Sequence, residues 1–405
     1  MFDTGNTGFM LVATSLVMLM TPGLAFFYGG LVGRKNVLTI MIQSFVSMGV
    51  TTIIWWAYGY SLCFSGGEGG VIGNLDKAFM IGVTLTTPSP YGTGNIPEYV
   101  FMAYQMMFAI ITPALITGAF SNRIRFGAYL MFLVGWLTFV YFPFAHMVWG
   151  NGLLAKLGVL DFAGGIVVHN IAGMAALASV LYVGRRRVGD SVPHSIPLVA
   201  LGTGLLWFGW YGFNAGSELK VDAVTGMAFL NTDIAASFAG PTWMVLAWVF
   251  EKKPKFLGLL TGAVAGLATI TPCAGYVTPT SAVIIGILAG GVCYLAVNLK
   301  NRLHWDDALD VWGVHGVGGA LGVVLLGILA SKAVNPAGSD GLMLGNGGFF
   351  AKQVITVIIS SAYAFLFTYF MLWGINKISR VRTTEGEEER GLDDSLHGES
   401  AYQGV

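Results

Sequence analysis

Charge is what this sequence has least of. Only 10% of its 405 residues are Asp, Glu, Lys or Arg, against about 25% in an ordinary soluble domain. The 21 basic residues balance the 21 acidic ones, so there is no basic footprint for nucleic acid and that partner is excluded. Cysteine is nearly missing. Cys63, Cys273 and Cys293 lie in or beside apolar runs without CxxC spacing, and they read as buried small residues, not as a disulfide framework or metal site. The N-terminus lacks the basic region of a secretory signal. Met1 to Asn6 leads almost at once into an apolar run, so the first helix is expected to stay in the mature protein. No nucleophile–base pair and no metal-ligating cluster stands out, so neither an enzyme nor a bound cofactor is expected.

What the chain has in quantity is hydrophobic sequence, 55% of residues with a mean hydropathy of +0.70, and 57 glycines. Small residues let helix backbones approach closely in lipid. A bilayer-spanning helix needs about 20 mostly apolar residues. Such runs fall near 8–32, 38–64, 97–120, 126–147, 162–184, 196–217, 223–250, 256–274, 281–299, 313–331 and 350–378. The expected fold is therefore an all-α polytopic membrane protein with eleven transmembrane helices over residues 1–378, followed by a polar tail over 379–405. The stretch from Trp149 to Asp161 is expected at a membrane surface.

Basic residues give the orientation, because cytoplasmic loops hold the excess of Lys and Arg. Sixteen of the 21 fall on one side: Arg34 and Lys35, Arg123 and Arg125, Arg185 to Arg187, Lys252, Lys253 and Lys255, Lys300 and Arg302, Lys377 at the end of the last helix, and Arg380, Arg382 and Arg390 in the tail. That predicts an outside N-terminus and a cytoplasmic C-terminus. The first ten helices can divide five and five, and an odd-numbered repeat must be inverted in the membrane. Inverted repeats place a site near the midplane. A faint echo supports this: Leu160-Asp161 precedes His169, and Leu309-Asp310 precedes His315.

Ionisable side chains within a bilayer are costly and default to functional hypotheses. Of the six histidines, His194 and His304 fall in basic loops and His397 in the tail, and all three read as solvated. His146 sits at a helix end, where a structural hydrogen bond is expected. His169 and His315 differ, each lying inside a glycine-rich helix at matching places in the two half-repeats. As a pair they suggest a shared site. A bis-histidine haem is one possibility for such a pair. Zinc would want a third ligand, and a potassium channel a carbonyl filter such as TVGYG, which is absent. A pore with imidazoles and almost no fixed negative charge suits a small neutral molecule that hydrogen-bonds.

The motifs then become recognisable. Asp161-Phe162-Ala163-Gly164-Gly165 with Val168-His169 resembles the signature of ammonium transporters of the Amt/Mep/Rh family. So do Phe26 to Gly30, Ala145 to Gly150, Trp210 to Ser217, Thr271-Pro272, Val314-His315-Gly316 and the tail block Gly391 to Glu399. The blocks run in family order along the whole chain, and Trp149 with the Asp-Phe-Ala-Gly-Gly block fits the Amt branch better than an Rh-type gas channel. The resemblance implies a homotrimer in a cell membrane, contacting lipid, with one pore per subunit. It implies ammonium uptake for nitrogen assimilation, with methylammonium as an analogue. Trp149 and Tyr104 would present aromatic faces to the ion at the outer mouth while Ser217 accepts a hydrogen bond. Phe108 and Phe213 would form a stacked gate, and His169, His315 and Trp210 would line the pore beneath. Asp161 keeps two readings, a helix cap or a charge that favours the cation. Ammonium would lose its proton near the gate and cross as ammonia, with net charge movement expected. By the same resemblance the tail packs under a neighbouring pore, and a PII-type signal protein docks on the cytoplasmic face. The departures are Tyr104, where many relatives have Phe, and Asp233, which stays without a role. A sensor that binds without conducting is the main alternative; no output domain is seen after the eleventh helix.

Overall fold

The structure, a computed structural model, describes residues 1–67, 69–188 and 192–402; the last three residues of the expected tail lie outside these. Among the described residues it is all helical, with two isolated bridges and no strand. Eleven long helices follow one another: α1 Thr4–Leu31, α2 Arg34–Phe64, α3 Glu98–Ile116, α4 Phe126–Lys156, α5 Gly165–Val183, α6 Ile196–Glu218, α7 Ala223–Glu251, α8 Phe256–Ile270, α9 Pro279–Arg302, α10 Trp312–Leu329 and α11 Gly347–Ile378. Ten are long and apolar enough to cross a bilayer, and α8 is a shorter apolar helix. Their outward faces are apolar too; Ile358 and Phe370 of α11 are 62% and 63% exposed, which suits lipid as the surrounding solvent.

Side-chain caps set several boundaries. Asp3 accepts from the Asn6 amide and starts α1 earlier than hydropathy alone indicates. Asp222 and Thr225 form a capping box at α7, and Thr278 and Asn346 cap α9 and α11. α8 stops before Pro272, which brings no N–H to continue the ladder. α4 is interrupted around Gly150, so the expected surface stretch is a short turn packed beside the helix end.

α5 and α10 begin within the protein, three residues later and one residue earlier than expected. The first N–H groups of a helix have no partner in their own turn. Asp161 supplies four of them: its carboxylate accepts from the amides of Gly164, Gly165, Ile166 and Val167 at 2.6–3.1 Å. Asp307 does the same at α10, accepting from Val311 at 3.1 Å and Trp312 at 2.7 Å. Three residues after each acid stands a left-handed residue, Gly164 at φ 120° and Asp310 at φ 61°, and a π-helical turn follows in both. The repeat thus pairs Asp161 with Asp307, not with Asp310 as the sequence suggested. Asp310 pairs instead with Lys300 at 2.5 Å. Both histidines then fall eight residues after their capping acid. The two helices cross at glycines, where a Cβ on Gly173 would lie 2.1 Å from the Gly316 Cα. That contact, with Gly319 likewise packed close to His169 and Gly165, brings the two π turns side by side.

The tail is stitched to loops of its own chain. Asp393 accepts from the amides of Leu38 and Thr39 and from the Thr39 hydroxyl, at 2.7–3.0 Å. The Leu392 amide donates to Asn36 at 2.9 Å. Arg382 donates to the carbonyls of Val183 and Arg185, and Glu388 accepts from the Arg187 amide at 2.8 Å. Two histidines expected to be solvated take part. His194 bonds Val32 O and the Tyr402 hydroxyl through its two nitrogens, at 2.9 and 2.8 Å, and His397 packs edge-on against Phe126. Both had looked solvated because polar loops in sequence say nothing about a tail folding back across them. Beneath this layer Arg123, fully buried, donates to the carbonyls of Ala119, Gly184 and Asp306. Burial opposes ionisation of Asp306, but Arg186 and Arg123 outweigh it and hold the carboxyl below its ordinary range.

Two outcomes are expected. Asp161→Ala leaves four amides without their acceptor, at about 1–3 kcal/mol for each buried unpaired group, so the purified variant should melt well below the parent. An unchanged melting temperature would show that Asp161 is not a structural cap. Asp393→Ala removes the cap of α2, worth about 0.5–2 kcal/mol. Amide exchange should then rise across 379–402 while the eleven helices stay protected.

Candidate functional site

On the face opposite the tail, a vestibule of about 240 Å³ is lined by Tyr91, Gln105, Phe108, Trp149, Phe162 and Ser217. Trp149 is positioned by the short turn after α4: its indole Nε1 donates to the Asp161 carbonyl at 2.9 Å. The ring is thereby fixed against the loop that Asp161 holds, and α11 holds the same loop through Gln353, which bonds both backbone groups of Leu160 at 2.8 and 3.1 Å. The Ser217 hydroxyl, in the last turn of α6, donates back to Phe213 O at 2.9 Å. Its lone pairs are left to accept, which is what a donor-only cation needs.

Tyr104 occupies another place than the resemblance implied, while Asp161 holds the backbone as a helix cap does, the first of its two expected readings. Tyr104 is 0% exposed and does not line the vestibule. It packs edge-on to Phe108 with centroids 5.0 Å apart, and its hydroxyl reaches the α6 carbonyls of Gly212 and Phe213, both at 2.9 Å. Its face is covered because it lies one turn before Phe108 on the same side of α3. Asp161 is 5% exposed, with its carboxylate committed to backbone amides.

Beneath the vestibule, the Phe108 and Phe213 rings lie 4.2 Å apart, tilted by 34°, each 1% exposed. They close the passage. Below them is a space of about 10 Å³ lined by Val168, Leu206, Trp210, Phe213, His169 and His315, room for about one water-sized molecule. Apart from the imidazoles its walls are apolar. His169 and His315 face each other with Nδ1 to Nδ1 at 3.3 Å and rings inclined by 19°. One of those nitrogens donates and the other accepts, so the pair shares one proton. His169 also lies parallel to Trp210, centroids 5.4 Å apart, while Trp210 is anchored by Nε1 donating to the Thr271 hydroxyl at 2.9 Å. Among the described residues, Nε2 of His169 has no hydrogen-bond partner. The residue after His169 is pinned as well, with Asn170 bonded to Ser360 and Ser361 of α11.

Past the histidines a second cavity of about 230 Å³ opens toward the tail face, lined by Tyr28, Leu257, Thr261, Asp310, Val314 and His315 among others. Sequence reasoning named Tyr28 within the Phe26–Gly30 motif without giving it a role and did not single out Thr261; an isolated hydroxyl in an apolar helix carries no signal until the helices are packed. His146 fits its expected structural role, bonding Cys63 O at 2.9 Å. Asp233 acquires a partner, the Tyr211 hydroxyl, at 2.6 Å, away from the passage. Among the described residues no group of three or more His, Cys, Asp or Glu side chains could hold a metal ion.

The passage therefore runs from an aromatic vestibule through a closed ring pair to two imidazoles in an apolar space, then out at the tail face. Comparison with known proteins agrees in extent as well as kind. The profile of the Ammonium Transporter Family matches residues 8–402. The ammonium transporter of Bacillus subtilis (strain 168) is 45% identical over 401 residues, covering 98% of each chain. The crystal structure of Candida albicans Mep2 is similar at a TM-score of 0.89 and 36% identity, over 95% of this chain and 88% of that one. A solved structure described as a sensor Amt protein is similar at a TM-score of 0.88 and 30% identity, over 97% and 98%. This chain, a multi-pass membrane protein, belongs to the ammonium transporter family.

Proposed function

We propose that the protein takes up ammonium for nitrogen assimilation, recruiting the ion at the vestibule and passing ammonia through the apolar space. The observation that carries this reading is the 10 Å³ chamber holding two imidazoles beneath a closed aromatic pair. A hydrated cation does not fit there. A bare one would lose several kcal/mol of solvation without a fixed charge to compensate. Ammonia loses far less and can hydrogen-bond to the imidazoles.

Recruitment falls to Trp149, whose face attracts a cation by about 0.5–2 kcal/mol, and to the Ser217 lone pairs. Ammonium then gives up its proton near Phe108 and Phe213, and the rings part for the neutral molecule. Potassium has no proton to give up, so the chamber excludes it. The proton follows through the shared His169–His315 bond, so net charge moves and a membrane potential drives uptake at about 2.3 kcal/mol per charge per 100 mV. The sixteen basic residues on the tail side support a cytoplasmic tail. The protein works as a homotrimer with one pore per subunit, and a PII-type protein docks on the tail face, where residues 379–402 act as a regulatory element. The likeness to a sensor Amt protein supports a second reading, ammonium binding with little flux.

The test is the current evoked by ammonium from purified protein on a supported membrane, with potassium as control, in the parent and in H169A/H315A. An ammonium current that is lost, or no longer selective against potassium, in the double variant is the expected result. No current from the parent sinks charge movement, and flux into liposomes then separates electroneutral passage from the sensor reading. Trp149→Ala is expected to raise KM about two- to thirtyfold, the cation–π energy expressed as affinity, in concentration series with ammonium or methylammonium.

A further inference from the structure

We infer that Tyr104 is a positioning residue whose hydroxyl, not its ring face, serves the vestibule by turning the Ser217 hydroxyl so that its lone pairs face the incoming ion. The inference rests on the recruitment reading of Ser217 given above.

Three oxygens surround the Tyr104 hydroxyl: Gly212 O and Phe213 O at 2.9 Å, and Ser217 Oγ at 3.3 Å. Ser217 Oγ in turn lies 2.9 Å from Phe213 O. Four oxygens thus share two protons, because a carbonyl can only accept. The Tyr104 proton goes to a carbonyl, which leaves its oxygen able to accept. The Ser217 proton is then drawn inward twice, by Phe213 O and by the Tyr104 oxygen. Tyr104 is wholly buried, whereas Ser217 borders the vestibule. An inward proton leaves the serine lone pairs toward the cavity. Ammonium has N–H donors and no acceptor, so this orientation is the one it can use. Without the phenolic oxygen, one of the two inward acceptors is gone. The serine rotor then turns its proton toward the cavity part of the time, where it opposes a cation.

The backbone is shaped for this contact. A Cβ at position 216 would stand 2.6 Å from the Tyr104 hydroxyl and 2.8 Å from its ring, so a residue without a side chain is what admits the phenol between α3 and α6. Nothing else about the last turn of α6 requires glycine there, since Gly216 has ordinary right-handed angles.

The test is a cycle of Y104F, S217A and the double variant, with ammonium transport kinetics measured in proteoliposomes. Tyr104→Phe keeps the ring and its packing on Phe108. It is expected to raise KM about three- to tenfold, the worth of one hydrogen bond, with kcat little changed, and to add nothing in the S217A background. A lowered kcat at unchanged KM, or KM effects that multiply in the double variant, would overturn the inference while leaving the recruitment reading intact. If S217A alone leaves KM unchanged, the recruitment reading falls, and this inference with it.

Discussion

A helix that begins inside a protein, away from water, needs an internal partner for its first amides, and α5 and α10 both begin so. Water is not at hand to satisfy those groups, so each start needs a buried acceptor. Asp161 and Asp307 are those acceptors, and nearly everything central in the pore follows from them. Each fixes a left-handed residue, a π turn and, eight residues on, a histidine. The bare backbones of Gly173 and Gly316 then let the two starts approach until the imidazoles share a proton. An apolar space around two imidazoles results from two acidic caps whose carboxylates are spent on backbone.

The same economy governs the vestibule. Trp149 is held by a carbonyl of the Asp161 loop, and that loop is held by Gln353 of α11. The Phe108 and Phe213 rings stand on α3 and α6, which Tyr104 ties together through the Gly212 and Phe213 carbonyls. Few polar groups are used, and each fixes a neighbour as well as itself. At the opposite mouth, the loop after α5 is gripped on both sides by the tail, at Arg187 through Glu388 and at His194 through Tyr402. Arg186 from the same loop lines the exit cavity.

Much of the candidate site was legible in the sequence, for reasons of cost. Ionisable residues in apolar helices are rare enough that His169 and His315 stood out; the Phe213, Trp149 and Ser217 positions came with the family motifs, and Phe108 with the family resemblance. What misled was local likeness. Leu309-Asp310 copies Leu160-Asp161 in letters, yet the cap is Asp307, because capping depends on the distance from an acid to orphan amides and not on its neighbour. Tyr104 looked like a vestibule aromatic, and its hydroxyl turned out to be bound to helix carbonyls that no motif announces. His194 and His397 are half-covered as the tail folds across the loops, along a path set by contacts hundreds of residues apart.

By itself the sequence determined the solvent, the number of helices and the presence of a histidine pair, because hydropathy, length and the cost of burying charge act locally along the chain. It also carried the family motifs from one end to the other. Tertiary structure alone decided which acid caps which helix, which aromatic rings face the cavity and which are covered, and where the tail docks. Those depend on how closely two backbones approach, a property of pairs of helices that no single segment encodes.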